Sequence, residues 1–230
     1  MVTVKLYGMA FSTCTKRVWI TAHEIGINVE IIPVPLIKRA QKEPAYIENY
    51  HPFGVIPVLE DEDGTKVYES RAIARYLIAK YAPGSPLLPN PSDVKAYGMF
   101  EQAASIQHSI FDPLAHGLAH ERVFAPMKKL PSTEELAQKY IDMLMARMDG
   151  YERILSKQNY SCCDVQDLTL ADLFHLPYGQ IMDDLEPTVF SSRPHVKAWW
   201  DNISSRECWR AAMRLHPGFT RGRVLAPASS

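Results

Sequence analysis

"YGMAFSTCTKRVW", residues 7–19, decides how the chain starts to fold. The stretch leading into it, "TVKLYG" (3–8), alternates Val4 and Leu6 against Thr3 and Lys5, the period of a strand with one buried face. From Thr15 to Glu24 the residues favour a helix, with Val18, Trp19 and Ala22 on one side and Lys16, Arg17 and Glu24 elsewhere. At the joint stand three hydroxyls and a thiol: Ser12, Thr13, Cys14 and Thr15. A Ser or Thr at a helix start caps it, because its oxygen accepts from exposed backbone N–H groups. A helix N-terminus with hydroxyl donors is also a place to hold an anion. Residue types alone leave both roles open.

Working outward, "VEIIPVPL" (29–36) is β-branched and reads as a second strand. "PVLED", Asp63-Gly64 and "KVYES" read as a hairpin, since Asp-Gly suits a tight turn between extended runs. "SRAIARYLIAKY" (70–81) then spaces Ile73, Tyr76, Leu77 and Tyr81 by three and four, an amphipathic helix. The order is β-α-β followed by β-β-α. "PGSPLLPNPSD" (83–93) carries four prolines in eleven residues and cannot continue a helix. Beyond it strand signals stop, and the runs starting at Val94, Ser132 and Thr169 are helix-like. In the second of these, Leu136, Tyr140, Met143, Leu144 and Met148 form the expected apolar stripe. The reading is a small α/β domain over 1–82, a linker over 83–92, an all-helical domain over 93–217 and a tail over 218–230.

Composition narrows the function. Hydrophobic residues make up 47% and charged residues 22% of the 230, the range of ordinary globular proteins. A net charge of −1 supplies no basic field for nucleic acid or an anionic membrane, so neither is an expected partner. No apolar run reaches bilayer length, and "MVTVKLYG" lacks the features of a secretory leader. The cysteines Cys14, Cys162, Cys163 and Cys208 have no zinc-site or disulfide spacing, and adjacent Cys162 and Cys163 are poorly placed to bridge. A reducing, cytoplasmic setting is expected. The chain lacks GxGxxG, a P-loop and GxSxG. His116 and His120 stand at i, i+4 with no evident third ligand, so no metal site is expected.

Two further stretches carry chemistry. In "HPFGVIPVLED" (51–61), a proline directly before a strand and after a turn is where a cis bond fits. Such an arrangement leaves Ile56 backbone groups to pair with an extended, peptide-like ligand, whereas the plain alternative is a strand start. In "YESRAIARY" (68–76), Ser70 can cap the helix and Glu69 can be a solvated charge. The functional alternative pairs Ser70 and the helix N–H groups with a ligand carboxylate, and Glu69 with a ligand ammonium. In "TLADL", Thr169 and Asp172 have capping-box spacing and read as structural.

Together, "STCTKRV", "HPFGVIPVLED", "YESRAIARYL" and "DLTLADLFHLP" resemble the glutathione transferases, closest to the phi class and its fungal relatives. The resemblance covers nearly the whole chain. It implies a thioredoxin-like first domain, an all-helical second domain, a homodimer, and conjugation of reduced glutathione to electrophiles with no other cofactor. By the same resemblance Ser12 matches the serine that hydrogen-bonds the glutathione sulfur. Ile56 and Pro57 match the pair that clamps the cysteinyl backbone, and Glu69 and Ser70 the γ-glutamyl pair. Two positions depart from the pattern. Val55 stands where phi members commonly have Gln, and "RAQKEP" (39–44) replaces the usual His-Lys pair, leaving Gln41, with Arg39 and Lys42 beside it, for the glycyl end. Phe11, Phe111, His116 and Leu118 can line an electrophile pocket, or equally can be core.

A hydroxyl donated to the sulfur favours the thiolate, which is the nucleophile, and lowers the thiol pKa. Ser12 is the expected donor, with Thr13 the nearest competitor. Cys14 lies two residues on, roughly 200° around a helix, and is expected to point inward as a small buried hydrophobe. Two other readings stand beside this one: a glutathione-dependent thiol oxidoreductase using Cys14, and a non-catalytic carrier of apolar ligands with the same fold.

Overall fold

The computed structural model describes residues 2–161 and 167–216, which form two compact units. Cys162, Cys163 and the expected tail lie outside the described residues. Among the described residues, no helix is long and apolar enough to cross a membrane.

The first unit takes residues 2–88 together with Glu207–His216. Its strands are β1 (Thr3–Gly8), β2 (Asn28–Pro33), β3 (Val58–Glu60) and β4 (Lys66–Tyr68), joined by α1 (Thr13–Glu24), a short α2 (Pro44–Asn49) and, after β4, α3 (Ser70–Tyr81). The sheet order is β2-β1-β3-β4, with β1 and β2 parallel and β3 antiparallel to both β1 and β4. A β-α-β unit followed by a hairpin and a helix is the element order the alternation patterns predict, and it is the thioredoxin-like arrangement the family resemblance implies. Val4 and Leu6 of β1, Leu59 of β3, Val18 and Ala22 of α1, and Ile73 and Leu77 of α3 close into one core. Burying each of the Val, Leu and Ile side chains contributes roughly 2 kcal/mol. Tyr76 and Tyr81 play another part: both phenols, with Lys80, donate to the buried carboxylate of Asp61, fastening α3 to the hairpin.

Lys16 and Arg17, which the sequence sets off from the apolar side of α1, are both buried. The helix Glu207–Leu215 packs on α1, and there the Lys16 ammonium donates to the His216 carbonyl at 2.8 Å and lies 5.6 Å from the centre of the Trp209 ring. Arg17 turns the other way, toward α3. A helix covered on two sides has little polar face left, so its long cations bury their stems and hydrogen-bond their heads.

The second unit is all-helical: α4 (Val94–Ile106), α5 (Asp112–Ala119), α6 (Ala125–Met127), α7 (Glu134–Leu155), α8 (Leu170–Leu173), α9 (Leu176–Leu185), α10 (Thr188–Ser191) and α11 (Pro194–Ser204), with π-helical turns at Gln107–Phe111 and His120–Phe124. The α7 stripe holds at Leu144 and Met148, while Leu136 and Tyr140 are only half-buried and the buried arc is shifted toward their neighbours. Ala137, Ile141, Leu144, Met148, Tyr151 and Leu155 are buried, while Met143 is exposed. Thr169 and Asp172 do form the capping box of α8. Asp172, wholly buried, accepts from the Thr169 N–H and hydroxyl on one oxygen and from the Ser161 N–H and Trp199 Nε1 on the other.

Candidate active site

The register of the sheet sets the geometry of the site. Gly8 pairs with Pro33, Tyr7 with Val58, and Val58 with Tyr68, so these residues lie along one end of the sheet. The segment after β1 holds Ser12, the segment after β2 holds Gln41 and Lys42, the approach to β3 holds Val55, Ile56 and Pro57, and the exit from β4 holds Glu69 and Ser70. All of these expected site residues therefore gather at one sheet end, in one unit. Gly8 allows it: a Cβ there would stand 2.5 Å from Thr15 Oγ1, so only glycine lets α1 start so close to the strand.

Ser12 is the N-cap of α1, with extended backbone, and its Oγ accepts from the Thr15 N–H at 3.4 Å. A hydroxyl has two lone pairs and one proton. Capping uses a lone pair and leaves the O–H to donate, so the two roles open to Ser12 are compatible. Cys14 in the first turn is half-buried rather than wholly buried, and its Sγ lies 3.7 Å from Arg17 Nη1. This corrects the expectation of an inert interior thiol; the cation drawn into α1 gives the sulfur a polar neighbour.

Ser70 also departs from its plain reading. It opens α3 but caps nothing: Glu69 is the N-cap residue and makes no side-chain cap bond. The buried Ser70 hydroxyl instead accepts from Arg17 Nη1 at 3.0 Å. Glu69 has φ 69° and ψ 107°, a left-handed conformation costing of order 1–3 kcal/mol for a residue with a Cβ. That cost must be met by the surrounding contacts, which hold the Glu69 backbone at the junction of β4 and α3. Glu69 Oε1 lies 4.0 Å from Nε2 of buried His51. Burial pushes the His51 imidazole below its ordinary pKa, with Glu69 opposing and Lys42 adding to the shift.

The loop 51–57 is tied to its neighbours on both sides. The Ile56–Pro57 bond is cis. The Val55 carbonyl accepts from the Tyr46 hydroxyl at 3.0 Å, and Lys42 Nζ donates to the Phe53 carbonyl at 3.0 Å. Gly54, at φ 60°, lets the loop press on the Gln41 carbonyl, where a Cβ would come within 2.6 Å. Gln41 presents a buried Oε1 with no partner among the described residues. An amide carries both an acceptor oxygen and a donor N–H₂, so a half-turn about its last bond would offer an N–H₂ at the same spot. The cationic head of Lys42 is committed to the loop, which leaves Gln41 as the better-placed of the two for a ligand.

The four residues suggested for an electrophile pocket divide. Phe111 and Leu118 are fully buried in the helical unit, Phe111 with its ring 4.9 Å from His175, and both act there as core. His116 is exposed, its ring 5.8 Å from Tyr178, and Phe11 in the first unit lies 5.8 Å from His216. The His116 and His120 rings are 6.4 Å apart, and His120 Nδ1 meets Glu121 at 3.2 Å. Sequence reasoning missed Arg17 and His51. Both are polar residues inside quoted motifs, and the available signal was their position: one turn into α1, and directly before a Pro-Phe-Gly turn.

Comparison with known proteins agrees with this architecture. The N-terminal domain model of the glutathione S-transferases matches residues 11–80, and the C-terminal domain model matches 113–207. Glutathione S-transferase PM239X14 of Arabidopsis thaliana is 66% identical over 218 residues, 95% of each chain. Glutathione transferase F2 of Populus trichocarpa superposes with a TM-score of 0.85 at 32% identity, over 93% of this chain and 99% of that one. Glutathione S-transferase I from mais, solved in complex with an atrazine glutathione conjugate, superposes with a TM-score of 0.83 at 25% identity, over 93% and 98%. Fold, sheet-end site and sequence identity lead to one conclusion: the chain belongs to the glutathione S-transferase family, within its phi class, and is a glutathione transferase.

Proposed function

We propose that the enzyme conjugates reduced glutathione to electrophilic small molecules through a thiolate held by the Ser12 hydroxyl. The observation that carries this is the state of Ser12: it caps α1 through a lone pair and keeps its proton to donate. Glutathione's thiol is mostly protonated at neutral pH. A donated hydrogen bond and the positive end of α1 favour the sulfur anion, and each pKa unit gained needs only about 1.4 kcal/mol. The sulfur then attacks the electrophilic carbon, a C–S bond forms, the leaving group departs with its electron pair, and the thiol proton passes to solvent. Glu69 meets the ligand ammonium, Ser70 and the start of α3 the γ-glutamyl carboxylate, Ile56 the cysteinyl backbone, and Gln41 the glycyl end. Glutathione is thus a co-substrate, and no further cofactor is invoked. The reading extends to a homodimer with Phe53, 74% exposed, and the start of α3 at the contact, working in the cytoplasm.

A second reading draws on the Arg17 guanidinium beside Cys14, which would pair with a Cys14 thiolate in a thiol oxidoreductase. Single variants separate the two. Ser12→Ala should lower conjugation of an aryl halide at least tenfold, about 1.4 kcal/mol of barrier, and raise the pKa of the bound thiol. Cys14→Ser should be nearly silent. An active Ser12→Ala beside a dead Cys14→Ser would transfer the chemistry to the cysteine.

A further inference from the structure

His51 touches both stretches that the glutathione reading depends on, and its surroundings fix where its proton sits. The ring is 1% exposed. Nδ1 lies 3.3 Å from the backbone nitrogen of Phe53, inside the turn that leads to Ile56. A backbone N–H can only donate, so Nδ1 accepts, and the proton of the neutral imidazole is left on Nε2. Nε2 is the atom that faces Glu69 Oε1, at 4.0 Å. The ring also packs on Tyr68, with centroids 4.6 Å apart, immediately before Glu69 in sequence. Burial lowers the ring's pKa, and the charged groups facing it are the Glu69 carboxylate and the Lys42 ammonium.

We propose that His51 is a positioning residue for glutathione: one buried imidazole sets the turn that carries Ile56 and aims an N–H at the carboxylate of Glu69. This rests on the reading that Glu69 and Ile56 hold the ligand. The 4.0 Å gap exceeds a direct hydrogen bond. The Glu69 side chain is 68% exposed, so it can rotate to close that distance, whereas its backbone is held in the left-handed conformation beside the ring. The ring acts on binding rather than on the reacting sulfur, so its removal should appear in affinity and not in turnover.

The two halves of the imidazole can be replaced separately. Asn at 51 keeps an acceptor near the place of Nδ1 and loses the distal donor, whereas Gln keeps a distal N–H and loses the near acceptor. Glutathione binding to the full-length protein is measured by calorimetry, with steady-state conjugation of an aryl halide. His51→Asn should raise the glutathione Kd about fivefold, with kcat at saturating glutathione changed less than about twofold. His51→Gln should recover part of that affinity, the remainder being the lost acceptor for the Phe53 N–H. Glu69→Gln should raise Kd as well, and the His51→Asn/Glu69→Gln pair should be no worse than Glu69→Gln alone. Independent, multiplying effects of the two substitutions, or a loss confined to kcat, would overturn the role of His51. So would a damaging Glu69→Gln beside a silent His51→Asn. Unchanged affinity in a folded Glu69→Gln would instead remove the glutathione reading itself, and this proposal with it. If His51→Asn fails to fold, the decision falls to His51→Gln: affinity between that of the parent and that of Glu69→Gln supports the role, and affinity equal to the parent's or as poor as that of Glu69→Gln rejects it.

Discussion

Replacing Asp172 with Ala tests whether a single carboxylate organises the helical unit. Four donors converge on it: the Ser161 N–H at 2.8 Å, the Thr169 N–H at 3.0 Å, the Thr169 hydroxyl at 3.1 Å and Trp199 Nε1 at 3.0 Å. The residue has no exposed surface, so water cannot replace the lost oxygens without opening the unit. The Thr169 hydroxyl can rotate to another acceptor, but the three N–H groups are fixed by backbone or ring. Each orphaned, buried donor costs about 1–3 kcal/mol, so the three N–H groups put the variant roughly 3 kcal/mol below the parent at the lower end of that range. Whole domains are stable by only about 5–15 kcal/mol, so this is a large share. Asp172→Asn keeps the shape and one acceptor oxygen but turns an N–H₂ toward two donors, and should lose about half as much. Urea unfolding followed by tryptophan fluorescence reads both, with Trp199 itself a direct reporter. A loss below about 1 kcal/mol in Asp172→Ala would refute the reasoning, because it would mean the donors find other partners easily.

Two further outcomes are expected. His175, fully buried between Tyr151 and Trp199, has its pKa pushed down to about 4 by burial. Its folded pKa lies below the unfolded value, so the unfolded chain binds the extra proton first: stability should be full above about pH 6.5 and fall by up to roughly 3 kcal/mol as pH drops toward 4, with a shallower fall in His175→Gln in pH-dependent urea titrations. Arg17→Leu should destabilise the first unit by about 2 kcal/mol and raise the glutathione Kd, and in a double-mutant cycle with Ser70→Ala the two losses should add to less than their sum; full additivity would disconnect the pair.

Much of the fold was legible because it rests on local pattern. The alternation of Val4 and Leu6 and the three-and-four spacing of Ile73 and Leu77 survive as the core of the first unit. The partly shifted stripe of α7, right at Leu144 and Met148, shows where that legibility weakens. Leu136, Tyr140 and Met143 are large and lie one position from Ala137, Ile141 and Leu144, so two neighbouring arcs of the helix are both apolar. Periodicity then cannot choose between them, and small, buried Ala137 gives little signal.

The site divides along the same line. Residues that would face a ligand sit in turns whose chemistry is local: a hydroxyl after a strand, a proline before one, a Glu-Ser pair at a helix start. Residues that hold those turns act through partners far away in sequence. Arg17 reaches Ser70 across 53 positions, and nothing in "TCTKRVW" distinguishes it from the solvated cation that Arg usually is. Its burial becomes intelligible only once α1 and α3 are packed together, because that packing supplies a hydroxyl acceptor and removes water from the same place. His51 follows the same logic. A histidine before Pro-Phe-Gly is unremarkable until the hairpin brings Tyr68 and Glu69 against its other side. At that point the acceptor demand of the Phe53 N–H fixes the tautomer, and the tautomer fixes which residue the ring serves. The proposed ligand-facing set therefore rests on motifs, whereas the supporting set required the register of the sheet.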